Sequence, residues 1–462
     1  MTNIILNTDG YKHSHSFMLD SDIEYSTSYI EARIEDKQTV SAGIAYLKKT
    51  NNFRITQEDI DEAEDILTNS GVDWNKEGWE YILKEHDGIL PVHIEAVKEG
   101  TVLKSKNVLL QITNKDPKLA WLPSFLETML LRSLWYAITV ASLSHSIRQS
   151  MTEMLNLSCD NPQSCLSFML NDFGSRGVSS YESSVIGGLS HLICFNGSDN
   201  LPAVSHIRKL YGDKIEQFTV NASEHSVTTS WLPENEMKAV KTWLESFPDK
   251  PLSVVIDSYN DLEFIQSICN QFEDIVKKRS IPLILRPDSR KPVDIICGDQ
   301  FGIIHTLWDK YGGTINSKGY KVLAPYVRII QGDGVNEHSI REIQEQLIAK
   351  GYSVENVVFG MGGKLLQGVD RDTLKFAMKC CEVIMRDGTI RKVSKNPIGD
   401  PGKKSKEGRL ALIKEDAEYK TIKAIELGDR KNYLYTIFNG SEEVPDDHMT
   451  FAEVRSNYIS HL

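Results

Sequence analysis

Residues 252–289 read LSVVIDSYNDLEFIQSICNQFEDIVKKRSIPLILRPDS, and their pattern decides the fold class. The stretch begins and ends with a short apolar run of the kind that forms a buried strand. The apolar residues between the two runs keep a spacing of three or four, namely Leu262, Ile265, Ile268, Phe272 and Ile275. That spacing places them on one face of an amphipathic helix. A buried strand, a helix and a second buried strand predict a parallel βαβ unit.

The same alternation continues on both sides of this stretch, from about residue 165 onward. Five further apolar runs end in Gly, Asp, Ser or Asn: LSFMLNDFGSRG (166–177), HLICFNGSD (191–199), QFTVNASEH (217–225), VRIIQGDG (327–334) and VENVVFGMGG (354–363). Helical patterns follow several of them, such as HSIREIQEQLIAKG (338–351). Together the runs predict a seven-stranded parallel sheet, built either as an open doubly wound sheet or as a closed barrel.

The first 160 residues and the tail have a different pattern. DIEYSTSYIEARI (22–34) alternates like a strand, and HIEAVKEGTVLKSKNVLLQITN (93–114) resembles a meander of strands. Residues 117–151 form one long helical pattern, and CEVIMRDGTIRKVSKNP (381–397) alternates like a hairpin. We therefore expect an α+β domain built from both termini, residues 1–160 and 380–462, and an α/β barrel-like catalytic domain at 161–379.

Composition narrows the functional class. The chain has 462 residues and a formal net charge of −12, which disfavours binding to nucleic acid or to an anionic membrane surface. No basic segment followed by an apolar core opens the sequence, and no window is long and apolar enough to span a membrane. The seven cysteines are odd in number and lack CxxC spacing. Reduced thiols and a cytoplasmic location are the expectation.

Polar residues end the apolar runs. The carboxyl ends of parallel strands share one edge of the sheet, where α/β proteins build their sites. The residues expected there are Asp172, Arg176, Asp199, Glu224, His225, Asp257, Arg286, Asp288, Asp333 and the glycines 332, 334, 360, 362 and 363. Taken alone, His225 is either a hydrogen-bonded structural histidine or a catalytic one.

Two segments suit phosphate binding. GMGGKLLQ (360–367) is either a backbone anion nest or a structural turn. RKVSKNPIGDPGKKSKEGR (391–409) carries seven Lys or Arg against Asp400 and Glu407, so it is either a solvated loop or a basic arm for a multiply phosphorylated small molecule. Asp257 and Asp288 are either helix caps or ligands of Mg²⁺. Since neither GxxxxGK[ST] nor a well-placed GxGxxG occurs, the sequence does not support a P-loop or dinucleotide fold.

Segments spread over nearly the whole chain resemble nicotinamide phosphoribosyltransferases, a family of type II phosphoribosyltransferases. The matching segments are NIILNTDGYKHSH (3–15), NDFGSRGVSSYES (171–183), GSDN (197–200), ASEHS (222–226), VVIDSYN (254–260), LILRPDS (283–289), NSKGYKVLAPYVRIIQGDGV (316–335), FGMGGKLLQ (359–367), RD (371–372) and DPGKKSKEGRL (400–410). The resemblance implies an irregular α/β barrel plus an α+β domain from both termini. It also implies a head-to-tail homodimer with shared active sites.

The resemblance further implies the reaction. Members make nicotinamide mononucleotide and pyrophosphate from nicotinamide and phosphoribosyl pyrophosphate, with Mg²⁺, in NAD salvage. ATP phosphorylates a histidine that corresponds to His225, which Glu224 would orient, and Asp257 and Asp288 would be catalytic. Phe173 and Tyr11 of the partner subunit would sandwich the base.

The remaining roles come from the same resemblance. Asp199 would accept a hydrogen bond from the carboxamide and repel the carboxylate of nicotinate, and Arg286 would reach the base and ribose. The positions implied to bind the phosphoribosyl group and phosphates are Arg176, Arg328, Gly332, Asp333, Gly362, Gly363, Arg371, Lys379, Lys395 and Lys403.

This chain departs from the family pattern at three positions. Asn171 stands where a histidine is expected, Arg290 replaces a glycine after RPDS, and Lys364 replaces the third glycine of the nest. Two alternative functions stay open. One is a nicotinate phosphoribosyltransferase, which shares the fold and the histidine, and the other is a non-catalytic protein that binds phosphoribosyl compounds or nucleotides.

Overall fold

The computed structural model describes residues 3–51, 53–212, 214–299, 302–399, 404–441 and 449–462. Its strands, in chain order, are β1 (Ile23–Ala32), β2 (Gln38–Val40), β3 (Val92–Val97), β4 (Val102–Lys104), β5 (Val108–Asn114), β6 (Leu170–Asp172), β7 (Gly197–Ser198), β8 (Asn221–Ala222), β9 (Leu252–Val255), β10 (Leu283–Arg286), β11 (Gly313–Ile315), β12 (Lys321–Leu323), β13 (Val327–Gln331), β14 (Val357–Met361), β15 (Phe376–Met385), β16 (Ile390–Lys392), β17 (Leu410–Glu415), β18 (Glu418–Lys423) and β19 (Leu434–Phe438). Its helices are α1 (His15–Met18), α2 (Ile44–Thr50), α3 (Gln57–Thr68), α4 (Lys76–Glu85), α5 (Leu122–Phe125), α6 (Glu127–Ser158), α7 (Pro162–Leu166), α8 (Tyr181–Cys194), α9 (Leu201–Tyr211), α10 (His225–Thr229), α11 (Glu236–Ser246), α12 (Asp261–Gln271), α13 (Glu273–Lys277), α14 (Pro292–Cys297), α15 (Ile303–Tyr311), α16 (Glu337–Ala349), α17 (Gly363–Leu366) and α18 (Phe451–Ile459).

The chain forms two compact units. The first comprises Met1–Ser142, Ile207–Asp213 and Asp370–Leu462, and the second comprises Leu143–His206 and Lys214–Val369. The sequence pattern predicts boundaries after residues 160 and 379 instead. The difference arises because α6 continues through residue 142 without a break, and because β15 pairs with β1 from residue 376 onward. A helix that continues across a domain boundary gives one uninterrupted pattern in the sequence, so the pattern does not reveal the boundary.

The first unit is built on an antiparallel sheet with strand order β16-β15-β1-β5-β3-β19. Both termini contribute, because β1 pairs with β15 on one side and with β5 on the other. The strand predicted at residues 22–34 and the hairpin predicted at 381–397 are confirmed as β1 and as β15 with β16. In the predicted meander, β3 pairs with β5, whereas β4 pairs with β2.

The second unit contains the predicted parallel sheet, with strand order β7-β6-β14-β13-β10-β9-β8. Every pair of neighbouring strands in it is parallel. Phe218, which precedes β8, forms a parallel bridge with Gly197 of β7, so the two edges of the sheet meet. The Phe218 amide donates to the Asn196 carbonyl (2.8 Å), and the Ser198 amide donates to the Phe218 carbonyl (3.0 Å). Of the two predicted arrangements, the closed and irregular barrel is therefore the one that forms.

One predicted strand is shorter than its apolar run. The apolar run at residues 191–194 is the last turn of α8, and the strand that follows, β7, has only two residues. Residues Ser184 to Cys194 of α8 are all buried, so this part of the helix has no solvent-exposed face. A short run of buried residues has the same appearance in a helix and in a strand, and periodicity cannot separate them.

The long helix predicted at residues 117–151 is confirmed in its main part. Helix α6 begins at Glu127 and ends at Ser158, and the shorter α5 precedes it. Although α6 has 32 residues, neither it nor any other helix in the described part of the chain is apolar enough to cross a membrane.

A buried carboxylate anchors residues 207–213 within the first unit. Glu99 is 4% exposed and accepts hydrogen bonds from the amides of Ile44 (2.9 Å) and Ala45 (3.3 Å) at the start of α2. The Tyr211 hydroxyl donates to the same carboxylate at 3.0 Å, and the Tyr211 ring packs edge-on against Phe451. Burial raises the pKa of Glu99, and the hydrogen bonds from these donors oppose the rise. Each donor therefore stabilises the ionised form of the buried carboxylate.

We expect Tyr211→Phe to lower the free energy of unfolding by about 1–3 kcal/mol, because it leaves a buried carboxylate with one donor fewer. Urea unfolding of the variant and of the wild type measures this change. Tyr181→Phe is the matched control, since the Tyr181 side chain is 62% exposed and its hydroxyl does not stabilise a buried carboxylate. Equal changes in the two variants would contradict the anchoring role of Tyr211.

Candidate active site

A histidine and two carboxylates meet at the carboxyl edge of the parallel sheet. His225 is the first residue of α10, Asp257 follows β9, and Asp288 follows β10. His225 Nε2 lies 3.2 Å from Asp257 Oδ1, and His225 Nδ1 lies 3.7 Å from Asp288 Oδ2. In the neutral tautomer that donates from Nε2 to Asp257, Nδ1 holds the ring's lone pair. That tautomer gives His225 the chemistry of a nucleophile or base.

The Asp257 side chain is only 5% exposed, and three donors satisfy it. Besides His225 at Oδ1, the Asp288 amide donates to Oδ2 at 3.1 Å, and the Ser289 hydroxyl donates to the same oxygen. Asp288 is more open, with a side chain that is 37% exposed. The two carboxylates thus differ in how much of each remains available to a ligand.

Arg286 is the cation beside these carboxylates. Its Nη2 donates to the Ser223 carbonyl at 2.7 Å, which fixes the guanidinium against the segment before α10. Burial lowers the pKa of Arg286, and Asp288, Asp199 and Asp257 oppose the effect. Its Nε is buried and has no hydrogen-bond partner among the described residues. A buried donor of this kind suits a ligand with an acceptor oxygen.

Two glycines make room for the ring of Phe173. A Cβ atom added at Gly360 would lie 2.0 Å from Phe173 Cε2, so no larger residue fits at that position without displacing the ring. A Cβ atom at Gly332 would lie 3.6 Å from both Arg286 Cδ and Asp288 Oδ1, and 3.7 Å from Phe173 Cε2. Gly332 therefore marks the point where the aromatic ring, the guanidinium and the carboxylate converge.

Asp172, directly before Phe173, is fully buried in a network of hydrogen bonds. Its Oδ1 accepts from the Gly174 amide at 2.7 Å, and its Oδ2 accepts from Asn200 Nδ2 at 2.9 Å. Asn200 in turn accepts from the Ser184 hydroxyl at 3.0 Å. Burial raises the pKa of Asp172 to about 6. The network ties the end of β6, and with it Phe173, to the segment that follows β7.

Asp199 lies on that following segment. Its amide donates to the Asp172 carbonyl at 3.0 Å, and the Thr219 hydroxyl donates to Asp199 Oδ1. The residue is exposed at the edge of the barrel, and its negative charge opposes the lowering of the pKa of Arg286 by burial. Its carboxylate is thus oriented by a hydroxyl and remains open to a ligand.

Glu224 does not take the orienting position that was expected of it. Its carboxylate accepts from the Ser226 hydroxyl and lies 3.9 Å from Arg176 Nη1, in a pair whose two side chains are largely exposed. In the described part of the chain, the carboxylates that contact His225 are Asp257 and Asp288. Consecutive side chains at a strand end diverge, and the carboxylate hydrogen-bonded to the imidazole is that of Asp257, not that of Glu224.

The glycine segment after β14 lies against the segment after β6. The Phe173 amide donates to the Met361 carbonyl at 3.0 Å, and a Cβ atom at Gly177 would lie 3.1 Å from the Gly363 Cα. Gly362 and Gly363 are half-buried beside Phe173 and Gly177, and Asp333 is exposed after β13. These backbone positions therefore belong to the same edge as His225.

Arg328 does not reach this edge. It is the second residue of β13, so it lies at the opposite end of the strand from Gly332. Its Nη1 donates to the carbonyls of Leu323 (3.2 Å), Ala324 (2.8 Å) and Val327 (2.7 Å). The guanidinium is engaged by backbone carbonyls away from the site. The expectation that Arg328 binds phosphate is therefore wrong.

The other expected residues belong to the first unit. Tyr11 is 60% exposed, Arg371 pairs with Asp372 at 2.9 Å, and Lys395 is exposed. Lys379 Nζ donates to the Met378 carbonyl at 2.7 Å, and burial lowers the pKa of this lysine. Lys403 lies outside the described residues.

Comparison with known proteins assigns the family. The model of the nicotinate phosphoribosyltransferase (NAPRTase) family matches residues 168–442, and the model of the N-terminal domain of nicotinamide phosphoribosyltransferase matches residues 3–94. The chain is 40% identical over 470 residues to a nicotinamide phosphoribosyltransferase of Xanthomonas campestris pv. campestris (strain 8004), covering 99% of this chain and 98% of that protein. The chain belongs to the nicotinate phosphoribosyltransferase family.

A further relative agrees with this assignment, and two solved structures share the fold. A nicotinamide phosphoribosyltransferase of Mycoplasma pneumoniae (strain ATCC 29342 / M129 / Subtype 1) is 36% identical and covers 71% of this chain and 72% of that protein. The crystal structure of nicotinate-nucleotide pyrophosphorylase from Pyrococcus furiosus has a TM-score of 0.63 at 16% identity, with 99% of this chain and 95% of that chain covered. Human nicotinic acid phosphoribosyltransferase has a TM-score of 0.54 at 13% identity, with 98% and 93% covered. The structures confirm the predicted fold class, an irregular α/β barrel with an α+β domain.

The departures from the family pattern have visible local consequences. Asn171 Nδ2 donates to the Phe359 carbonyl at 3.1 Å, and a Cβ atom at Gly197 would lie 2.2 Å from Asn171 Oδ1. Asn171 thus packs between β14 and β7. Lys364 is exposed in α17. Arg290 adopts a φ of +69°, a conformation that glycine adopts readily.

Three supporting residues of the site are not singled out by the sequence pattern. Asn200, Thr219 and Ser289 act through hydrogen bonds to Asp172, Asp199 and Asp257, which the pattern does single out. Their only sequence signal is position, since each lies beside a polar residue at a strand end or, for Thr219, just before β8.

We expect the ionisation of Asp172 to give a distinct pH signature. Its pKa rises from 3.8 to about 6 on folding, so the folded protein keeps a proton that the unfolded chain has released between these values. The free energy of unfolding of the wild type, minus that of Asp172→Asn, should therefore fall by up to about 3 kcal/mol as the pH rises from 4 to 6. Above pH 6 the difference should stay constant.

Urea unfolding at several pH values measures this difference. Asp333→Asn, which neutralises an exposed carboxylate of the same edge, is measured in parallel as the control. Wild-type and Asp172→Asn curves that run parallel between pH 4 and 6 would contradict the assignment.

Proposed function

We propose that this chain is a nicotinamide phosphoribosyltransferase that makes nicotinamide mononucleotide and pyrophosphate from nicotinamide and phosphoribosyl pyrophosphate, in NAD salvage. ATP hydrolysis would be coupled to synthesis through phosphorylation of His225. The observation that carries the proposal is the position of His225 between Asp257 and Asp288, at the edge that also holds Arg286 and Asp199. The full-length identity to the Xanthomonas nicotinamide phosphoribosyltransferase supports the same reaction.

Phe173 and Asp199 suit the base. An aromatic face stacks on a pyridine ring and also favours the cationic pyridinium of the product. The carboxylate of Asp199 accepts a hydrogen bond from the amide NH₂ of nicotinamide and repels the carboxylate of nicotinate. In the proposed homodimer, Tyr11 of the partner subunit would cover the other face of the base.

The transfer needs positioning and charge more than acid–base chemistry. The bond between C1′ and the pyrophosphate oxygen lengthens, the pyridine nitrogen attacks C1′, and pyrophosphate leaves. Arg286, with its buried and unpartnered Nε, would donate to oxygens of the ribose or phosphate. The glycine backbone at 362 and 363 would cradle the 5′-phosphate, and Arg176 and Gly332 would border the ribose.

The coupling step uses the lone pair of His225 Nδ1. This nitrogen would attack the γ-phosphorus of ATP, the bond between that phosphorus and its bridging oxygen would break, and ADP would leave. Asp257 stabilises the cationic ring that forms, because its Oδ1 accepts from Nε2 at 3.2 Å. Hydrolysis of the phosphohistidine would then return the enzyme to its starting state.

The carboxylates at the edge suit a Mg²⁺ ion that would bind together with the substrate phosphates. Mg²⁺ usually takes one or two carboxylates and completes its shell with water and substrate phosphates. No cluster of three or more His, Cys, Asp or Glu capable of holding a metal is present in the described residues. Asp288 would hold the ion, since both Asp257 oxygens are engaged. When bound, Mg²⁺ would offset charge on the phosphates.

A cytoplasmic location and a homodimer complete the proposal. All seven cysteines are free, which supports a reducing compartment. The exposure of Tyr11, at 60%, supports its availability to a second copy of the chain. Lys379, Lys395 and Lys403 remain proposed phosphate ligands.

The alternative is a nicotinate phosphoribosyltransferase, which the family model over residues 168–442 favours by its description. Product formation from phosphoribosyl pyrophosphate and Mg²⁺ separates the two, with nicotinamide or nicotinate offered, each with and without ATP. Nicotinamide mononucleotide as the main product, increased by ATP, supports the proposal. A preference for nicotinate would transfer the assignment to the alternative, and no product with either base would favour a binding protein.

We expect Asp199→Ser to lower the ratio of kcat/KM for nicotinamide over nicotinate by about tenfold or more, because it removes both the acceptor for the amide and the repulsion of the acid. Steady-state kinetics with both bases measures this ratio. Asp333→Ser, at an exposed carboxylate of the same edge, controls for a general change in charge. An unchanged ratio in Asp199→Ser would refute the account of base selection.

We expect His225→Ala to abolish the stimulation of synthesis by ATP while leaving some ATP-independent synthesis, because transfer itself does not need the phosphohistidine. Rates with and without ATP, and incorporation of label from [γ-³²P]ATP into an acid-labile and base-stable form, measure the effect. His338→Ala, at an exposed histidine in α16, is the matched control. Survival of ATP stimulation in His225→Ala would contradict the proposed coupling.

A further inference from the structure

Arg290 occupies an unfavourable backbone conformation two residues after Asp288. Its φ is +69°, in the left-handed region where a side chain other than glycine is strained. The residue lies in the connection between β10 and α14, and its side chain is 56% exposed. An exposed loop residue that keeps such a conformation needs a contact that holds it there.

That contact is a bidentate ion pair with Asp261. Arg290 Nε lies 2.5 Å from Asp261 Oδ2, and Arg290 Nη2 lies 2.9 Å from Asp261 Oδ1. The Asp261 side chain is 6% exposed, and its Oδ1 also accepts from the Leu262 amide at 2.9 Å, at the start of α12. Two parallel hydrogen bonds from a guanidinium to a mostly buried carboxylate fix both distance and orientation.

The pair joins the two loops that carry the carboxylates beside His225. Asp261 follows Asp257 by four residues, and Arg290 follows Asp288 by two. Nearer the histidine, the same two loops are joined by the Asp288 amide and the Ser289 hydroxyl, which both donate to Asp257. The Arg290–Asp261 pair thus joins the loops farther along the chain from β9 and β10 than these two hydrogen bonds do, and it limits how far the loops can separate.

We propose that the Arg290–Asp261 pair is a clasp that positions Asp288 relative to Asp257, and that it thereby sets the affinity for Mg²⁺ and phosphoribosyl pyrophosphate. This consequence for affinity rests on the proposed function, whereas the effect on the loops does not. In this view Arg290 is a positioning residue, and its guanidinium does not contact the substrate.

Hydrogen exchange tests the clasp without any assumption about function. We expect Arg290→Ala and Asp261→Asn each to speed exchange of the Asp288 amide, which the bond to Asp257 protects. Mass spectrometry of the peptide around residues 286–291 measures the change. Lys291→Ala is the matched control, because Lys291 is the adjacent residue, its side chain is 58% exposed, and its 2.7 Å ion pair is to Glu342 instead. Exchange as slow as in the wild type would overturn the clasp.

Kinetics tests the consequence for affinity. Arg290→Ala and Asp261→Asn should each raise the KM for phosphoribosyl pyrophosphate and the Mg²⁺ concentration for half-maximal rate about fivefold, and the double variant should be no worse than either single one. If Arg290 contacted phosphate directly, Asp261→Asn would free it and leave the KM unchanged or lower, which would overturn the proposal. Lower thermal stability with both constants unchanged would also overturn it.

Two features keep the outcomes distinct. Arg290→Gly removes the ion pair but adopts the positive φ readily, so it replaces Arg290→Ala if that variant fails to fold. If the wild type makes no mononucleotide, the proposed function fails, yet the exchange experiment still supports or overturns the clasp.

Discussion

The buried carboxylate of Asp257 is the contact on which the site depends. It joins its own segment to two others that are distant in sequence, since it accepts from His225 at the start of α10 and from Asp288 and Ser289 after β10. A carboxylate that is 5% exposed must keep its donors, because an unpaired buried charge is strongly destabilising. The hydrogen bonds that satisfy this charge therefore also orient the imidazole and fix the loop that carries Asp288.

Parallel strand order explains why such a carboxylate can gather these partners. Strands β8, β9 and β10 are adjacent and run in the same direction, so the residues that follow them emerge at one edge. The bridge between Phe218 and Gly197 brings the far side of the sheet, with Asp199, around to the same region. Closure of the barrel thus places the residues proposed to bind the base at the same edge as those proposed for phosphoryl transfer.

The sequence predicted the strand ends and so most of the site, but it could not predict contacts that depend on direction and burial. His225, Asp257 and Asp288 were found because each follows an apolar run. Arg328 lies within such a run too, and only its place near the start of β13 removes it from the edge. The run at residues 191–199 predicts one strand, but its first four residues belong to α8, which is buried on all sides there, and only Gly197 and Ser198 form β7. The hydrogen bonds of Asn200 and Thr219 connect elements whose distance no local pattern encodes.

The charges at the edge define what the site can bind. Asp199, Asp257 and Asp288 surround Arg286, so the local sum is negative, and a highly anionic donor such as phosphoribosyl pyrophosphate would be repelled at these short distances. Binding of the proposed donor would therefore need added positive charge close to Asp288, the more open of the two carboxylates beside His225. The proposed divalent cation, arriving with the phosphates, would supply that charge only when substrate is present. This makes the position of Asp288, rather than the mere number of carboxylates, the property that the fold has to control.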